Sequence, residues 1–115
     1  MLLVDDEPGI LQALARELAD VAEVTTASTV SDALALVARA PYDIVVADLR
    51  LPDRWGDELL AHVAARFPAT RRLLFTADNN PQRTVRELIE RGVVEAWFQK
   101  PWTDALVEAI RGYEA

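Results

Sequence analysis

The chain has 115 residues, of which 51% are apolar and 27% are charged, so it has the size and composition of one globular domain. Its formal net charge of −7 argues against nucleic-acid binding through this domain, because phosphate backbones bind basic surfaces. It contains no cysteine, which excludes disulfides and thiol chemistry, and its apolar runs are shorter than a membrane span requires. We therefore expect a cytoplasmic domain that has no membrane contact.

Short apolar runs alternate five times with amphipathic segments of helical length. After the first run, Ile10, Leu14 and Leu18 repeat at four-residue intervals, which is typical of one face of a helix. Ser28 or Thr29 offers a hydroxyl group that can cap the second helix. The expected strands lie, in chain order, within residues 2–4, 21–27, 44–47, 73–75 and 96–99.

The third run, Ile44–Ala47, is apolar throughout, which suits a central strand that is covered on both faces. Pro68 ends the third expected helix, and Gly92 ends the fourth. Strict alternation with short links predicts a parallel five-stranded sheet between two layers of helices, with right-handed crossovers. We therefore expect one α/β domain over residues 1–115, a three-layer sandwich without a linker.

Chemically active side chains directly follow four of the five expected strands. Asp5 and Asp6 follow the first strand, Asp48 the third, Thr76 the fourth and Lys100 the fifth. Lys100 is the one lysine among 12 basic residues, and a compact ammonium reaches into a tight site where a planar guanidinium does so poorly. Because ligands bind beyond the carboxyl ends of the strands in such sheets, these residues predict a site at that edge.

The three aspartates need a cation, since two carboxylates at roughly 4 Å repel each other by up to about 4 kcal/mol. Oxygen ligands and a small open site favour Mg²⁺. A divalent ion, an ammonium and a hydroxyl around one carboxylate are the parts that phosphoryl transfer requires, with Asp48 as the nucleophile. Taken singly, Asp5 and Asp6 also fit the role of helix caps, Asp48 that of a loop acid and Thr76 that of a turn residue.

The segments LLVDDEP, IVVADLRLPDRWGDELL, LLFTA and WFQKPW, in this order and spacing, closely resemble the receiver domain of two-component response regulators. The resemblance covers essentially the whole chain. It implies a flavodoxin-like, doubly wound (βα)5 fold with the strand order 2-1-3-4-5. It also implies that Asp48 is the phosphoacceptor, that Asp6 and Asp48 bind Mg²⁺ directly, and that Asp5 holds the ion through water.

The same resemblance assigns further roles. The backbone carbonyl of Arg50 would be the third protein ligand of the ion, and Thr76 the switch hydroxyl that moves to the phosphoryl oxygen. Lys100 would pair with that oxygen. Trp97 occupies the position of the switch Tyr or Phe and is larger than either, and Pro101 occupies the position of a frequent cis proline.

Two further residues lie where the family controls how fast water attacks the phosphoryl group. Arg50 and Asp78 each stand two residues beyond a site residue, Asp48 and Thr76 respectively. Our hypothesis is that Arg50 and Asp78 pair across the mouth of the site, obstruct the attacking water and prolong the aspartyl phosphate.

The resemblance implies a signalling switch that catalyses only its own phosphorylation and slow autodephosphorylation, not a conventional enzyme. A sensor histidine kinase or a phosphotransfer protein would supply the phosphoryl group. The surface of the fourth helix, fifth strand and fifth helix would then act on an effector domain or a downstream protein, with no effector domain in this chain. The last two helices are also where a homodimer would form.

Three other functions fit parts of the sequence. A receiver that works as a docking module without phosphate would have the same fold. A phosphatase of the haloacid dehalogenase type would need a second acid where Arg50 stands. A flavin-binding domain would need a hydroxyl-rich loop after the first strand, where this chain has acids that repel phosphate.

Overall fold

The computed structural model describes residues 1–77, 82–101 and 103–114, and within them five strands alternate with five helices. The elements are β1 (Leu2–Val4), α1 (Pro8–Leu18), β2 (Thr25–Ala27), α2 (Val30–Arg39), β3 (Ile44–Ala47), α3 (Gly56–Arg66), β4 (Arg71–Thr76), α4 (Gln82–Glu90), β5 (Ala96–Gln99) and α5 (Thr103–Glu114).

The five strands form one parallel sheet in the order β2-β1-β3-β4-β5. This order confirms the flavodoxin-like, doubly wound fold predicted from the sequence. Since β1 and β3 are neighbours, with Val4 opposite Ala47, the residues that follow these two strands meet at the same edge of the sheet. The fold therefore brings together the acids of two segments that lie more than forty residues apart in the chain.

Two apolar clusters cover the two faces of the sheet. In β1, Leu2 and Val4 face the cluster that includes residues of α2, α3 and α4, whereas Leu3 faces the cluster of α1 and α5. Such alternation is the two-residue period of a strand. All four residues of β3 are buried, which confirms that the run Ile44–Ala47 is a central strand. The strands are therefore held by apolar packing on both faces of the sheet.

Local signals account for several element boundaries. Thr29 caps α2, and its hydroxyl oxygen accepts a hydrogen bond from the amide of Asp32 at 3.0 Å. After α4, Gly92 has a φ of 73°, and the amide of Val93 donates to the carbonyl of Leu88, a glycine-ended helix terminus. The second strand is shorter than the expected range 21–27, because β2 comprises only Thr25–Ala27. The amide of Val21 instead donates a hydrogen bond to the carbonyl of Leu18 at the end of α1.

The start of α1 decides between two readings of the first acids. Its N-cap residue is Glu7, and Pro8 begins the helix, so neither Asp5 nor Asp6 is the N-cap.

The strand β4 is longer than expected because Arg71 and Arg72 pair with Ile44 and Val45. Within the described ranges, no helix combines the length and the apolar character needed to cross a membrane.

Candidate functional site

The backbone places two acids side by side at the carboxyl edge of the sheet. The amide of Asp48 donates to the carbonyl of Val4 at 3.0 Å, and the amide of Asp5 donates to the carbonyl of Ala27 at 3.0 Å. The parallel hydrogen-bond pattern of the sheet thus extends by one backbone hydrogen bond past the last residue of β1 and of β3. Both aspartates are buried. Asp6, next in the chain, is exposed to solvent. The edge therefore has two buried carboxylates and one open carboxylate.

Lys100 reaches this edge from a strand that is not adjacent to either acid-bearing strand. Its amide donates to the carbonyl of Thr76 at 2.9 Å, and β4 separates β5 from β3. The side chain must therefore cross the end of β4, and its Nζ lies 5.9 Å from the ring centroid of Phe75. The Lys100–Pro101 peptide bond is cis, as the resemblance implied.

The Lys100 ammonium lies between the two buried carboxylates. Its Nζ is 2.6 Å from Oδ2 of Asp5 and 2.8 Å from Oδ2 of Asp48, and 3.6 Å from Oε1 of Glu7. The lysine side chain is only 3% exposed. Charge-assisted hydrogen bonds of this length are stronger than neutral ones, particularly away from water. One positive charge thus fixes the positions of two acids that would otherwise repel each other.

The protonation behaviour follows from this sharing of one ammonium. Burial raises the pKa of Asp5, and the hydrogen bonds from Lys100 and from the Glu7 amide only partly offset that effect. Burial also acts against the charged form of Lys100, but the hydrogen bonds to Asp48 and Asp5 outweigh it and raise the pKa of the ammonium. Lys100 is therefore a fixed positive charge at neutral pH.

Asp5, Asp6 and Asp48 form a group that fits a divalent cation. One carboxylate oxygen from each lies within 4.8 Å of the others. Three carboxylates and one ammonium leave two negative charges, which a divalent ion would neutralise. Oxygen-only ligands select a hard ion, and the exposed position of Asp6 leaves room for water, an arrangement that suits Mg²⁺. The residues predicted from the sequence therefore meet where a metal can be held.

Thr76 and Trp97 lie on the same face of two paired strands. Thr76 is opposite Gln99 in the sheet, and Trp97 is opposite Leu74, so the two residues are diagonal neighbours. Leu74 and Trp97 both belong to the cluster beneath α2, α3 and α4, and the strand period places Thr76 on that face as well. Thr76 is 1% exposed, whereas Trp97 is half-buried and borders α4 beside Val85.

Arg50 extends from the site on an exposed loop. Its amide donates a long hydrogen bond, 3.4 Å, to Oδ1 of Asp48, and its guanidinium lies 5.6 Å from the ring centroid of Trp55. Arg50 and Trp55 also form an isolated antiparallel bridge that closes the loop. Asp78, the expected partner of Arg50, lies outside the described residues.

Two residues that sequence reasoning did not assign to the site contribute to its structure. Gly56 begins α3 directly behind Asp48, and a Cβ at this position would overlap the carbonyl oxygen of Asp48. The two carboxylate oxygens of Asp53 accept hydrogen bonds from the backbone amides of Val30 and Ser31 at the N-terminus of α2. The sequence signals that could have identified them are a glycine at the start of a helix, for Gly56, and an aspartate directly after a proline, for Asp53. Both patterns also occur in ordinary turns, so neither signal is specific.

Comparison with known proteins identifies the family. A family model described as the response regulator receiver domain matches residues 1–111. The chain is 31% identical over 112 residues to the hydrogenase transcriptional regulatory protein HoxA of Cupriavidus necator, covering 96% of this chain and 23% of that protein. It is also 31% identical over 111 residues to the transcriptional regulatory protein GlrR of Escherichia coli, covering 96% of this chain and 25% of that protein. The chain spans about a quarter of the length of these relatives.

Solved structures give the same answer. The signal receiver domain of an HD domain-containing protein from Pseudomonas fluorescens is 32% identical, with a TM-score of 0.86, covering 96% of this chain and 82% of that chain. The chemotaxis response regulator CheY4 of Vibrio cholerae is 25% identical, with a TM-score of 0.83, covering 99% of this chain and 96% of that chain. Since the family model covers all but the last four residues, this chain belongs to the response regulator receiver domains of two-component systems.

Proposed function

We propose that this domain is a phosphorylation-dependent switch in which Asp48 accepts a phosphoryl group with the help of Mg²⁺. The observation that supports this most directly is the convergence of Lys100, Asp5 and Asp48 at 2.6–2.8 Å. The donor would be a sensor histidine kinase or a phosphotransfer protein, since these supply the phosphoryl group to this family. An effector domain or a downstream protein would respond to the phosphorylated form.

The acids differ in how they would hold the ion. Asp5 uses Oδ2 for Lys100 and Oδ1 for the Glu7 amide at 2.9 Å, so it is suited to hold the ion through water. Asp6 and Asp48 would bind directly, and the backbone carbonyl of Arg50 would be the third protein ligand. A bound Mg²⁺ would supply positive charge to the oxygens of the transferring phosphoryl group.

The chemistry at Asp48 is a displacement at phosphorus. A carboxylate oxygen forms a bond to phosphorus, the bond between phosphorus and the donor's histidine nitrogen breaks, and its electron pair stays on that nitrogen. The ammonium of Lys100 already touches Oδ2 of Asp48, so it lies where it can pair with a phosphoryl oxygen as charge develops. The domain thereby catalyses its own modification.

The switch would run along one face of the sheet. The hydroxyl of Thr76 would move towards the phosphoryl group, and the space beneath it would admit the ring of Trp97. The placement of both residues on the α4-bearing face supports this coupling. A larger fraction of the molecules would then have the α4, β5 and α5 surface in the conformation that the effector binds.

Arg50 would set how long the phosphoryl group persists. Its guanidinium lies 5.6 Å from the ring centroid of Trp55, and at the mouth of the site it would hinder an attacking water molecule. The pairing with Asp78 is part of this hypothesis. The autodephosphorylation rate of Arg50→Ala tests it, and an unchanged rate would refute it.

The central test is phosphorylation of the purified domain by acetyl phosphate with Mg²⁺. Intact-protein mass spectrometry should detect a gain of about 80 Da, one phosphoryl group, in the wild type. Asp48→Asn should show no gain, whereas Asp43→Asn, a change at the exposed residue that precedes the same strand, should be modified normally. A wild-type domain that is never modified would instead support a phosphate-independent docking module.

A further inference from the structure

The loop between β3 and α3 is tied at its tip to the N-terminus of α2. Oδ1 of Asp53 accepts a hydrogen bond from the amide of Val30 at 2.9 Å. Oδ2 accepts one from the amide of Ser31 at 2.9 Å and another from its hydroxyl at 2.8 Å. Thr29 caps the amide of Asp32, so Asp53 satisfies two further amides that the first turn of a helix leaves without a partner. The tie joins residues 23 positions apart in the chain.

The sides of the same loop are closed by backbone pairing. The amide of Gly56 donates to the carbonyl of Leu49 at 2.8 Å, and Arg50 and Trp55 form a bridge. The tip itself is exposed at Pro52 and Asp53. The pairing links both sides of the loop, so the segment that carries the Arg50 carbonyl is continuous with the tip that Asp53 ties to α2.

We propose that Asp53 is a positioning residue that holds the backbone carbonyl of Arg50 in place for the divalent ion, an inference that rests on the proposed function. Asp53 would not contact the ion. It would act through the loop, because a tip released from α2 samples more conformations and must be ordered again when the ion binds. Mg²⁺ requires oxygen ligands in near-ideal octahedral positions, so this ordering affects its affinity.

The electrostatics of Asp53 agree with a permanent tie. Hydrogen bonds from the amides of Ser31 and Val30 lower its pKa to about 2, so the carboxylate is ionised throughout the range in which the domain works. The positive end of the α2 dipole adds a favourable interaction with that charge. The carboxylate therefore accepts all three hydrogen bonds at neutral pH.

The chain offers a matched control for this proposal. Thr29→Ala and Asp53→Ala both remove a cap from the first turn of α2, so both should lower the melting temperature. Only Asp53→Ala also releases the loop that carries Arg50. Asp53→Asn keeps one side-chain carbonyl oxygen as an acceptor and should have an intermediate effect.

The experiment is an isothermal calorimetric titration of each folded variant with MgCl₂, without phosphodonor. We expect the Kd for Mg²⁺ to rise roughly tenfold in Asp53→Ala, the lower end of what partners outside the ligand shell contribute to metal sites. Asp53→Asn should lie between this variant and the wild type. Thr29→Ala should bind Mg²⁺ as the wild type does, despite its lower melting temperature.

The outcomes separate this inference from the proposed function. Equal affinities in Asp53→Ala and the wild type would overturn the positioning role. Equal weakening in Asp53→Ala and Thr29→Ala would also overturn it, because the loss would then follow the stability of α2. A wild-type domain that binds no Mg²⁺, or binds it as well in Asp48→Asn, would overturn the proposed metal site and the role of Asp53 with it.

Discussion

Gly56 packs its backbone against the carbonyl oxygen of Asp48, so closely that a Cβ on Gly56 would occupy the same space as that oxygen. The contact lies directly behind the carboxylate that we propose as phosphoacceptor. It places the start of α3 and the end of β3 in one rigid unit, because the amide of Gly56 also bonds the carbonyl of Leu49. A side chain at this position must therefore displace the site.

Gly56→Ala should lower both stability and phosphorylation. We expect a loss of about 1–3 kcal/mol in the free energy of unfolding, the range for overpacking a fixed backbone, together with slower modification by acetyl phosphate. Urea denaturation and mass spectrometry measure the two effects. Gly112→Ala is the control, since a Cβ there meets no atom within 4 Å and alanine favours a helix. A Gly56→Ala domain as stable as the wild type would contradict the contact.

Lys100→Met should make the domain more dependent on Mg²⁺. Removal of the ammonium leaves Asp5 and Asp48 as two buried negative charges, which should cost about 3 kcal/mol in metal-free buffer. Added Mg²⁺ should then raise the melting temperature by more than it does in the wild type, because a larger negative charge attracts the ion. Differential scanning calorimetry with and without Mg²⁺ measures this. A smaller Mg²⁺-induced rise in Lys100→Met would argue against electrostatic competition at the site.

Asp53→Asn should change the acid stability of the domain. The pKa of Asp53 is lowered to about 2 in the folded state, so its contribution is complete above the ordinary aspartate pKa of about 4 and is lost as the pH falls towards 2. The urea midpoint of Asp53→Asn should therefore lie below that of the wild type at pH 5, and the difference should shrink towards pH 2.

Thr29→Ala is again the control, because a hydroxyl cap does not titrate in this range. Its deficit in the urea midpoint should stay constant from pH 5 to pH 2. A constant deficit in Asp53→Asn as well would show that the carboxylate charge contributes nothing to the cap.

Arg72 is a buried cation that is bound by backbone carbonyls on both sides of β4. Its Nε donates to Val93 at 2.9 Å, and its terminal nitrogens donate to Thr70 at 2.6 Å, Pro68 at 3.2 Å and Gly92 at 3.1 Å. A lysine has one nitrogen and cannot span these positions. We expect Arg72→Lys to lose about 2–3 kcal/mol in the free energy of unfolding, since carbonyls would be left buried without donors.

The neighbouring residue provides the comparison. Arg71 is exposed, pairs with Glu95 at 3.1 Å and lies over the ring of Tyr113. Arg71→Lys should therefore cost less than about 1 kcal/mol. Urea denaturation measures both variants, and similar losses at the two positions would contradict the role of the carbonyl contacts of Arg72.

Much of the fold was predictable because its signals are local. The two periods of the apolar residues identify strands and helices, and their alternation restricts the topology to a parallel sheet. The hydroxyl cap at Thr29 and the helix end at Gly92 use residues within a few positions of each other. Since parallel strands share one carboxyl edge, the positions of Asp5, Asp48 and Thr76 at that edge also follow from the order of elements alone.

The contacts between distant segments were decided only by the tertiary structure. Lys100 reaches Asp48 across 52 positions by crossing the end of β4, and Asp53 reaches Val30 across 23. Neither contact has a local pattern, because each depends on how two crossovers pack over the sheet. The start of α1 after Glu7 instead of Asp5, and the close approach of Gly56 to the Asp48 carbonyl, likewise became evident only from the three-dimensional structure. Sequence periodicity determines which edge carries the chemistry, whereas packing determines which atoms touch there.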